Sequence, residues 1–296
     1  MLMRQNRMLA LLVPLMLLAV IAQAKEQKAM RLSLLQAVKE HKVIITAKSS
    51  STLYNQKGLL LSIENTGKEN IILEVDPAMV FSPEDAQYQN LIIEGFDVLV
   101  VNAGKSRIIG MQSYCGESSD RAPVADLPYR YARQGDSIMI KTLKFIRDNK
   151  VKEDMAQHAL WVLTDNHDLS DVYDERDPAL SRHFTAFMGK LLGVAAPQYF
   201  TVKELNATPG ELVSNQKVLK LVTNLQWSLS RPESLSLSIY NTSGEKVASY
   251  FDHKAFPKGE YDLNASFETI DYPEGRYTIK LYSDRETLKQ MIVELQ

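Results

Sequence analysis

Apolar and polar residues alternate in short bursts along most of this chain, and one stretch switches to helical spacing. The first apolar group, Met30, Leu34, Leu35, Ala37 and Val38, has helical spacing and predicts one short helix over residues 30–40. Strand signals then follow one another. Val43–Ala47 is the first, and Leu59, Leu61 and Ile63 form the second, alternating with Leu60, Ser62 and Glu64. Asn65-Thr66-Gly67 is a turn, answered by Ile71–Val75 before Pro77. Leu91–Ile93, Val98–Val101 and Arg107–Tyr114 continue the series, with Asn102–Lys105 as a hairpin turn between the last two. Short strands with turns about every ten residues predict an immunoglobulin-like β-sandwich over residues 25–135. A βαβ alternation is missing, which argues against a doubly wound nucleotide-binding fold. Gly116 to Gly135 reads as a loop, with Pro123, Pro128 and few aliphatic runs.

Helical periodicity takes over in residues 136–196, a helical extension expected to pack on the first sandwich. Asp136 is placed to cap a helix through Phe145, with Ile138, Ile140, Leu143 and Ile146 as candidate buried positions. Met155, Ala159, Val162 and Leu163 mark a second helix, with Trp161 packed beside them. Asp177-Pro178 combines an N-cap with a first-turn proline. It opens a third helix through Leu180, Phe184, Phe187, Met188, Leu191 and Leu192, which Gly193 stops. Ala195-Ala196-Pro197 is the boundary to a second sandwich over residues 197–296. That sandwich begins with a strand at Tyr199–Leu205. In Leu235-Leu237-Ile239 and Tyr277-Ile279-Leu281 every second residue is apolar, so each strand should bury one face. Gly244, Gly259 and Gly275 fall in turns. The expected fold class is mainly β with an α-helical segment: two immunoglobulin-like β-sandwiches, the first followed by about three helices.

The N-terminus changes the picture from architecture to compartment. Arg4 and Arg7 precede an apolar run from Met8 to Ile21, and Ala22-Gln23-Ala24 is a small-x-small cleavage site. Lys25, Glu26 and Lys28 end the run before the roughly 20 apolar residues that a transmembrane helix needs. Residues 1–24 therefore read as a signal peptide, and the mature chain is expected in the periplasm, at the cell surface or secreted. No later segment is apolar enough to span a membrane. The whole chain carries a formal net charge of −2, and cleavage would remove two arginines and no acid. A mildly acidic chain without a basic block does not suit nucleic acid, whose affinity rests on Lys and Arg neutralising phosphates. Cys115 is the only cysteine, so an intrachain disulfide is impossible. A buried structural thiol is its simplest reading.

Candidate chemistry is sparse. The richest polar cluster is Asp165-Asn166-His167-Asp168, followed by Asp171, Asp174, Glu175 and Asp177. Calcium takes several oxygen ligands, so Asp165, Asp168, Asp171 and Asp174 are weak candidates for an ion site; helix capping is the competing role. His158 and His167, with Asp165 and Asp168, have the residue types of a zinc site, but no His-Glu-x-x-His motif accompanies them. Cys115, His158 and Asp165 have the types of a thiol enzyme: nucleophile, base and orienting acid. Ser113-Tyr114-Cys115-Gly116-Glu117 matches no cysteine-protease signature. Phosphate loops and dinucleotide glycine fingerprints are missing, so no cofactor is expected. Tyr129, Tyr131, Tyr173 and Tyr199 are candidates for a ligand-stacking surface, with interior packing as the alternative.

Two resemblances add to this. Leu237-Ser238-Ile239-Tyr240-Asn241-Thr242-Ser243-Gly244-Glu245-Lys246-Val247, Gly259-Glu260-Tyr261 and Pro273-Glu274-Gly275-Arg276-Tyr277 resemble the FlgD-like immunoglobulin family and the C-terminal sorting domains of the type IX secretion system. Lys289-Gln290-Met291-Ile292-Val293 is similar to the closing strand of those sorting domains, while Leu229-Ser230-Arg231-Pro232 stands where they open with Pro-Asn-Pro. Residues 34–195 resemble bacterial secreted proteins of poorly defined role. The matching pieces are Leu34–Val38, Asn65-Thr66-Gly67, Gln89-Asn90-Leu91, Tyr114-Cys115 and Gln157-His158-Ala159-Leu160-Trp161-Val162-Leu163-Thr164-Asp165. The resemblances imply a Bacteroidetes-like source and supply no catalytic residues. The expected function is a structural, adhesive or complex-forming role at the cell envelope, without catalysis, with other envelope proteins or surface glycans as partners. A calcium- or glycan-binding module using the 165–177 loop and a thiol enzyme centred on Cys115 are the alternatives.

Overall fold

A computed structural model describes residues 29–50, 57–203, 208–213 and 217–295. The signal peptide read over residues 1–24 lies outside them. The architecture is mainly β with a helical segment. Among the described residues no helix is long and apolar enough to cross a membrane.

The N-terminal part is built on a seven-stranded sheet. In sheet order its strands are β8 (Ser106–Met111), β3 (Leu59–Asn65), β2 (Val43–Ser49), β10 (Pro128–Gln134), β5 (Met79–Pro83), β6 (Leu91–Ile93) and β9 (Ser113–Cys115). β8 and β9 stand at opposite edges yet are separated only by Gln112. The sheet therefore curls until one bent segment supplies both of its edges. A three-stranded sheet, β1 (Met30–Ser33), β4 (Ile71–Glu74) and β7 (Val98–Val101), supplies the second layer. Leu59, Leu61 and Ile63 pack in one core cluster with Ile71, Leu73, Leu99 and Val101.

Several local expectations change here. The helix read over 30–40 covers only Leu34–Lys39 (α1), capped by the Ser33 side chain, because Met30–Ser33 pairs with β4 as a parallel strand. The Asn102–Lys105 turn does not close a hairpin. It carries the chain from β7 in one sheet to β8 in the other. Arg107 Nη1 then donates to the Val100 carbonyl across that edge (3.0 Å). The supposed loop at 116–135 contains β10, which lies between β2 and β5. Its sequence, Pro-Tyr-Arg-Tyr-Ala-Arg-Gln, has little apolar alternation, so its neighbours' backbones recruit it and only Tyr129 is fully buried.

Both faces of β5, β6 and β9 are covered. Phe81, Leu91 and Cys115 are aligned across the three strands and belong to the sandwich core, whereas Val80, Ile92 and Tyr114 in the neighbouring row belong to the helical core. Burial on both faces produces continuous apolar runs, which carry no period-two signal.

The helices that cover that outer row are α2 (Ser137–Asn149), α3 (Glu153–Thr164) and α4 (Pro178–Leu192). Asp136 and Asp177 accept hydrogen bonds from the amides of Met139 (2.9 Å) and Leu180 (3.0 Å), satisfying first-turn donors that the helix leaves unpaired. α2 runs past Phe145, and its buried face is Met139, Thr142, Leu143, Phe145 and Ile146; Ile138 and Ile140 remain partly exposed. Met139, Leu143 and Ile146 pack in one core cluster with Val80 and Ile92 of the sheet. Phe145 stacks on Phe184 of α4 at 4.7 Å. Gly193, at φ 72°, ends α4 in the left-handed conformation that glycine adopts without steric cost.

The C-terminal part has a three-stranded sheet, β11 (Tyr199–Lys203), β12 (Val218–Leu229) and β15 (Gly259–Glu268), facing a four-stranded one. The latter is ordered β14 (Lys246–Phe256), β13 (Glu233–Tyr240), β16 (Gly275–Tyr282) and β17 (Thr287–Leu295). Leu221, Leu225, Leu237, Ile239, Ile279, Leu281 and Val293 fill the space between them. β16 buries one face as expected, but β13 buries both. Ser236 and Ser238 are covered by β14, and Ser236 donates to Asp252 at 2.7 Å. The expected first strand at 199–205 is described as far as Lys203.

Candidate functional site at the junction of helices and strands

The polar residues that matter most lie where α3, the segment after it and β11 meet. Their placement starts from the free edge of β9. The Gln157 side chain acts there as a substitute strand: its Oε1 accepts from the Cys115 amide and its Nε2 donates to the Cys115 carbonyl, both at 2.9 Å. One turn or two further along α3, Thr164 donates to the Gly116 carbonyl (2.5 Å). Asp165 accepts from the Ser118 amide (2.6 Å) and from its hydroxyl (2.5 Å). The helix is thus pinned to the strand edge by a row of side chains.

Cys115 is fully buried among apolar neighbours, and burial pushes its thiol well above the ordinary range. The thiol is protonated and shielded from solvent. Of the three residues Cys115, His158 and Asp165, the last accepts from the Ser118 amide and hydroxyl.

His158 is 4% exposed and packs edge-on against Trp161, with ring centroids 5.5 Å apart. Burial depresses its pKa to about 4 despite the nearby Asp171 carboxylate. At neutral pH the imidazole is uncharged, and its Nδ1 has no hydrogen-bond partner among the described residues.

Asp171 is the hub of the junction. It ends a 3₁₀ turn (Leu169–Asp171) and is 5% exposed. Thr201 and Lys203 of β11 both donate to it, the latter at 2.9 Å. Burial raises the pKa of this carboxyl, but the His167 ring beside it, the hydrogen bonds from Thr201 and Lys203 and the lysine charge outweigh that and hold it well below the usual range. On the solvent side, Glu175 pairs with Lys220 of β12 at 2.9 Å, and Tyr173 stacks on Phe200 at 4.8 Å. A cleft of about 240 Å³ opens beside this hub, lined among others by Asp154, His158, Asp171, Tyr173, Arg176 and Lys203.

The four calcium candidates part company in this arrangement. Asp165 holds Ser118, and Asp168 caps the 3₁₀ turn through the Ser170 amide (2.8 Å). Asp171 holds β11, and Asp174 binds the side chain and amide of Arg176 (2.8 and 2.9 Å). Among the described residues no group of three or more His, Cys, Asp or Glu side chains could hold a metal ion. The tyrosines part likewise. Tyr129 is buried and donates to the Gln89 carbonyl (2.9 Å), and Tyr131 meets the edge of Phe81. Tyr173 and Tyr199 sit at the junction, Tyr199 beside Met291 and Ile292. They make no common stacking surface.

Sequence reasoning missed Ser118. Its Oγ lies 2.7 Å from His167 Nε2, and His167 Nδ1 lies 3.7 Å from Asp171. The residue types are those of a Ser-His-Asp triad. A triad needs the histidine to receive the serine proton. Here the Ser118 hydroxyl and amide are both taken up by Asp165, which makes Ser118 a tether between the 116–118 segment and the end of α3. Only the fold brings residues 118, 165, 167 and 171 together, and nothing around Ser118 marks it in the sequence.

No family model matches the chain, and neither does any curated protein. Among solved structures the chain is similar to a transglutaminase of red sea bream, at 10% identity and a TM-score of 0.18. The match covers 87% of this chain but 32% of that enzyme, so the chain spans about a third of its length. A likeness of this size carries no argument about fold or activity.

Proposed function

We propose that this chain is an exported, non-catalytic protein of the bacterial envelope that serves as a rigid scaffold in a complex with other envelope proteins. The observation that carries this reading is where apolar side chains remain outside. Val98 (57% exposed) and Val100 (48%) lie on the edge strand β7, and Ile108 (69%) lies on the edge strand β8. Ile44 (54%) lies two strands in from β8 on β2. Edge strands with exposed apolar residues are sites for pairing with another chain. The junction supports the scaffold part of the reading, since Asp165, Asp171, Ser118 and His167 are engaged in contacts that hold segments together. The export signal and the resemblance to FlgD-like and sorting domains support the address, with the C-terminal module retained as a permanent docking unit.

The test is native electrophoresis of envelope fractions from cells making the wild type or a Val100→Lys/Ile108→Lys double variant. The wild type should migrate in an assembly larger than its own mass. The variant should keep its melting temperature and migrate alone. Unchanged migration of the variant contradicts the proposal, as does turnover in an activity screen that Cys115→Ser abolishes.

A further inference from the structure

The cleft of about 240 Å³ beside Asp171 is lined by residues from three segments: α3, the acidic loop and β11. Asp154 and His158 stand four residues apart on α3, so they share one face of that helix. Asp171 and Asp174 come from the loop, and Lys203 comes from β11. The volume falls below the roughly 300–1,000 Å³ of sites for drug-sized molecules, so an occupant must be small.

Two groups in the lining have hydrogen-bonding capacity to spare. His158 is 4% exposed, and its Nδ1 has no hydrogen-bond partner among the described residues. Buried polar groups nearly always find a partner, and one that lacks it calls for an explanation. Burial keeps the ring uncharged at neutral pH, so one of its nitrogens is an acceptor. Asp174 is the other group, with a side chain 8% exposed. It accepts from the amide and the Nε of Arg176 (2.9 and 2.8 Å), and both bonds fall on Oδ1. Its second oxygen keeps lone pairs for a further donor.

The charge of the cleft decides the sign of the ligand. Lys203 and Arg176 are the cations of the lining, and Asp171 and Asp174 hold them both. An anion would therefore find each cation already engaged. Asp154, Asp171, Asp174 and Glu175 together give the lining more negative than positive charge.

We infer that this cleft binds a primary alkylammonium group, carried by a free amine or by a lysine side chain. Such a group brings one positive charge and three N–H donors in a compact head. The charge answers the acidic lining, and the donors answer the imidazole and the carboxylate oxygen. This goes beyond the complex-forming role of the N-terminal edge and is independent of it.

Isothermal titration calorimetry of the full chain tests the site. The ligands are n-pentylamine, Nα-acetyl-lysine amide, 1-pentanol and pentanoate. At least one of the two amines should bind saturably, and the neutral and anionic analogues should not. Tighter binding of pentylamine assigns the site to a free amine, and tighter binding of the lysine amide assigns it to a lysine side chain. Asp154→Lys, at an exposed position, should weaken amine binding roughly tenfold, or about 1.4 kcal/mol, without changing the melting temperature. His158→Phe keeps a ring against Trp161, removes the acceptor and should act in the same direction. Glu260→Gln, an equal loss of charge on the C-terminal sandwich, should leave the affinity unchanged. No saturable binding of either amine at millimolar concentration overturns the inference. So does equal affinity for 1-pentanol, or wild-type affinity in both the Asp154 and His158 variants.

Discussion

One half of the curled seven-stranded sheet lies under helices, and the other half lies open. β5, β6 and β9 are buried on both faces, between the sandwich core and α2–α4. β2, β3 and β8 bury one face and turn Ile44, Thr46, Lys48 and Ile108 outward. The same sheet thus writes two different codes. The open half alternates with period two, while the covered half is spelled in short runs such as Leu91-Ile92-Ile93. The covered half also carries the polar tethers, because a helix laid against a strand edge must satisfy the backbone groups that it hides.

The contrast predicts how substitutions differ between the two halves. Trp161 belongs to α3 yet packs with the sandwich core at 0% exposure. Trp161→Ala should destabilise the fold by about 3–5 kcal/mol, measured by denaturant unfolding. A smaller cost would mean that the helical layer is loosely seated.

His158 gives the covered half a pH dependence. Its pKa falls from 6.5 to about 4 on folding. Between those values the unfolded chain binds the proton and the folded chain does not. The contribution is therefore fully present above about pH 6.5, lost as pH falls toward 4, and constant below that. At about 1.4 kcal/mol per pH unit it amounts to about 3 kcal/mol. Stability measured across this range should flatten in His158→Gln; an unchanged slope would assign the dependence elsewhere.

Cys115→Ser, also in the covered half, places a hydroxyl among apolar neighbours and should cost about 1–3 kcal/mol. The wild-type thiol should label with a maleimide only after denaturation, and labelling of the folded chain would contradict its burial. In the open half, Ile108→Lys should change stability by no more than about 0.5 kcal/mol, whatever it does to association. A large loss there would show that this face is covered.

How much could be read from sequence follows the same division. β2, β3, β4 and β7 were visible as alternating or β-branched runs, and the capped starts of α2 and α4 were visible from Asp136 and Asp177. β10 was hidden because its polar sequence gains strand character only from β2 and β5 beside it. β8 and β9 read as one strand because Gln112 shows no turn signal, although it divides the two edges of the sheet. The acidic loop stands out in the sequence as its richest polar segment, and nothing in the sequence marks its partners Ser118, Thr201 and Lys203. They lie about 30 to 50 residues away in the chain, on segments that only the tertiary fold brings together.

The central claim is that this acidic loop joins the helical layer to the C-terminal strands. Scanning calorimetry of the wild type and Asp171→Ala, each with calcium or with chelator, tests it most directly. Removing Asp171 leaves Lys203, whose side chain is 11% exposed, without its buried partner, a change that typically costs about 3–5 kcal/mol. The account predicts one cooperative transition in the wild type, indifferent to calcium, and two separate transitions in the variant. A calcium-dependent rise in melting temperature, or two independent transitions already present in the wild type, would contradict it.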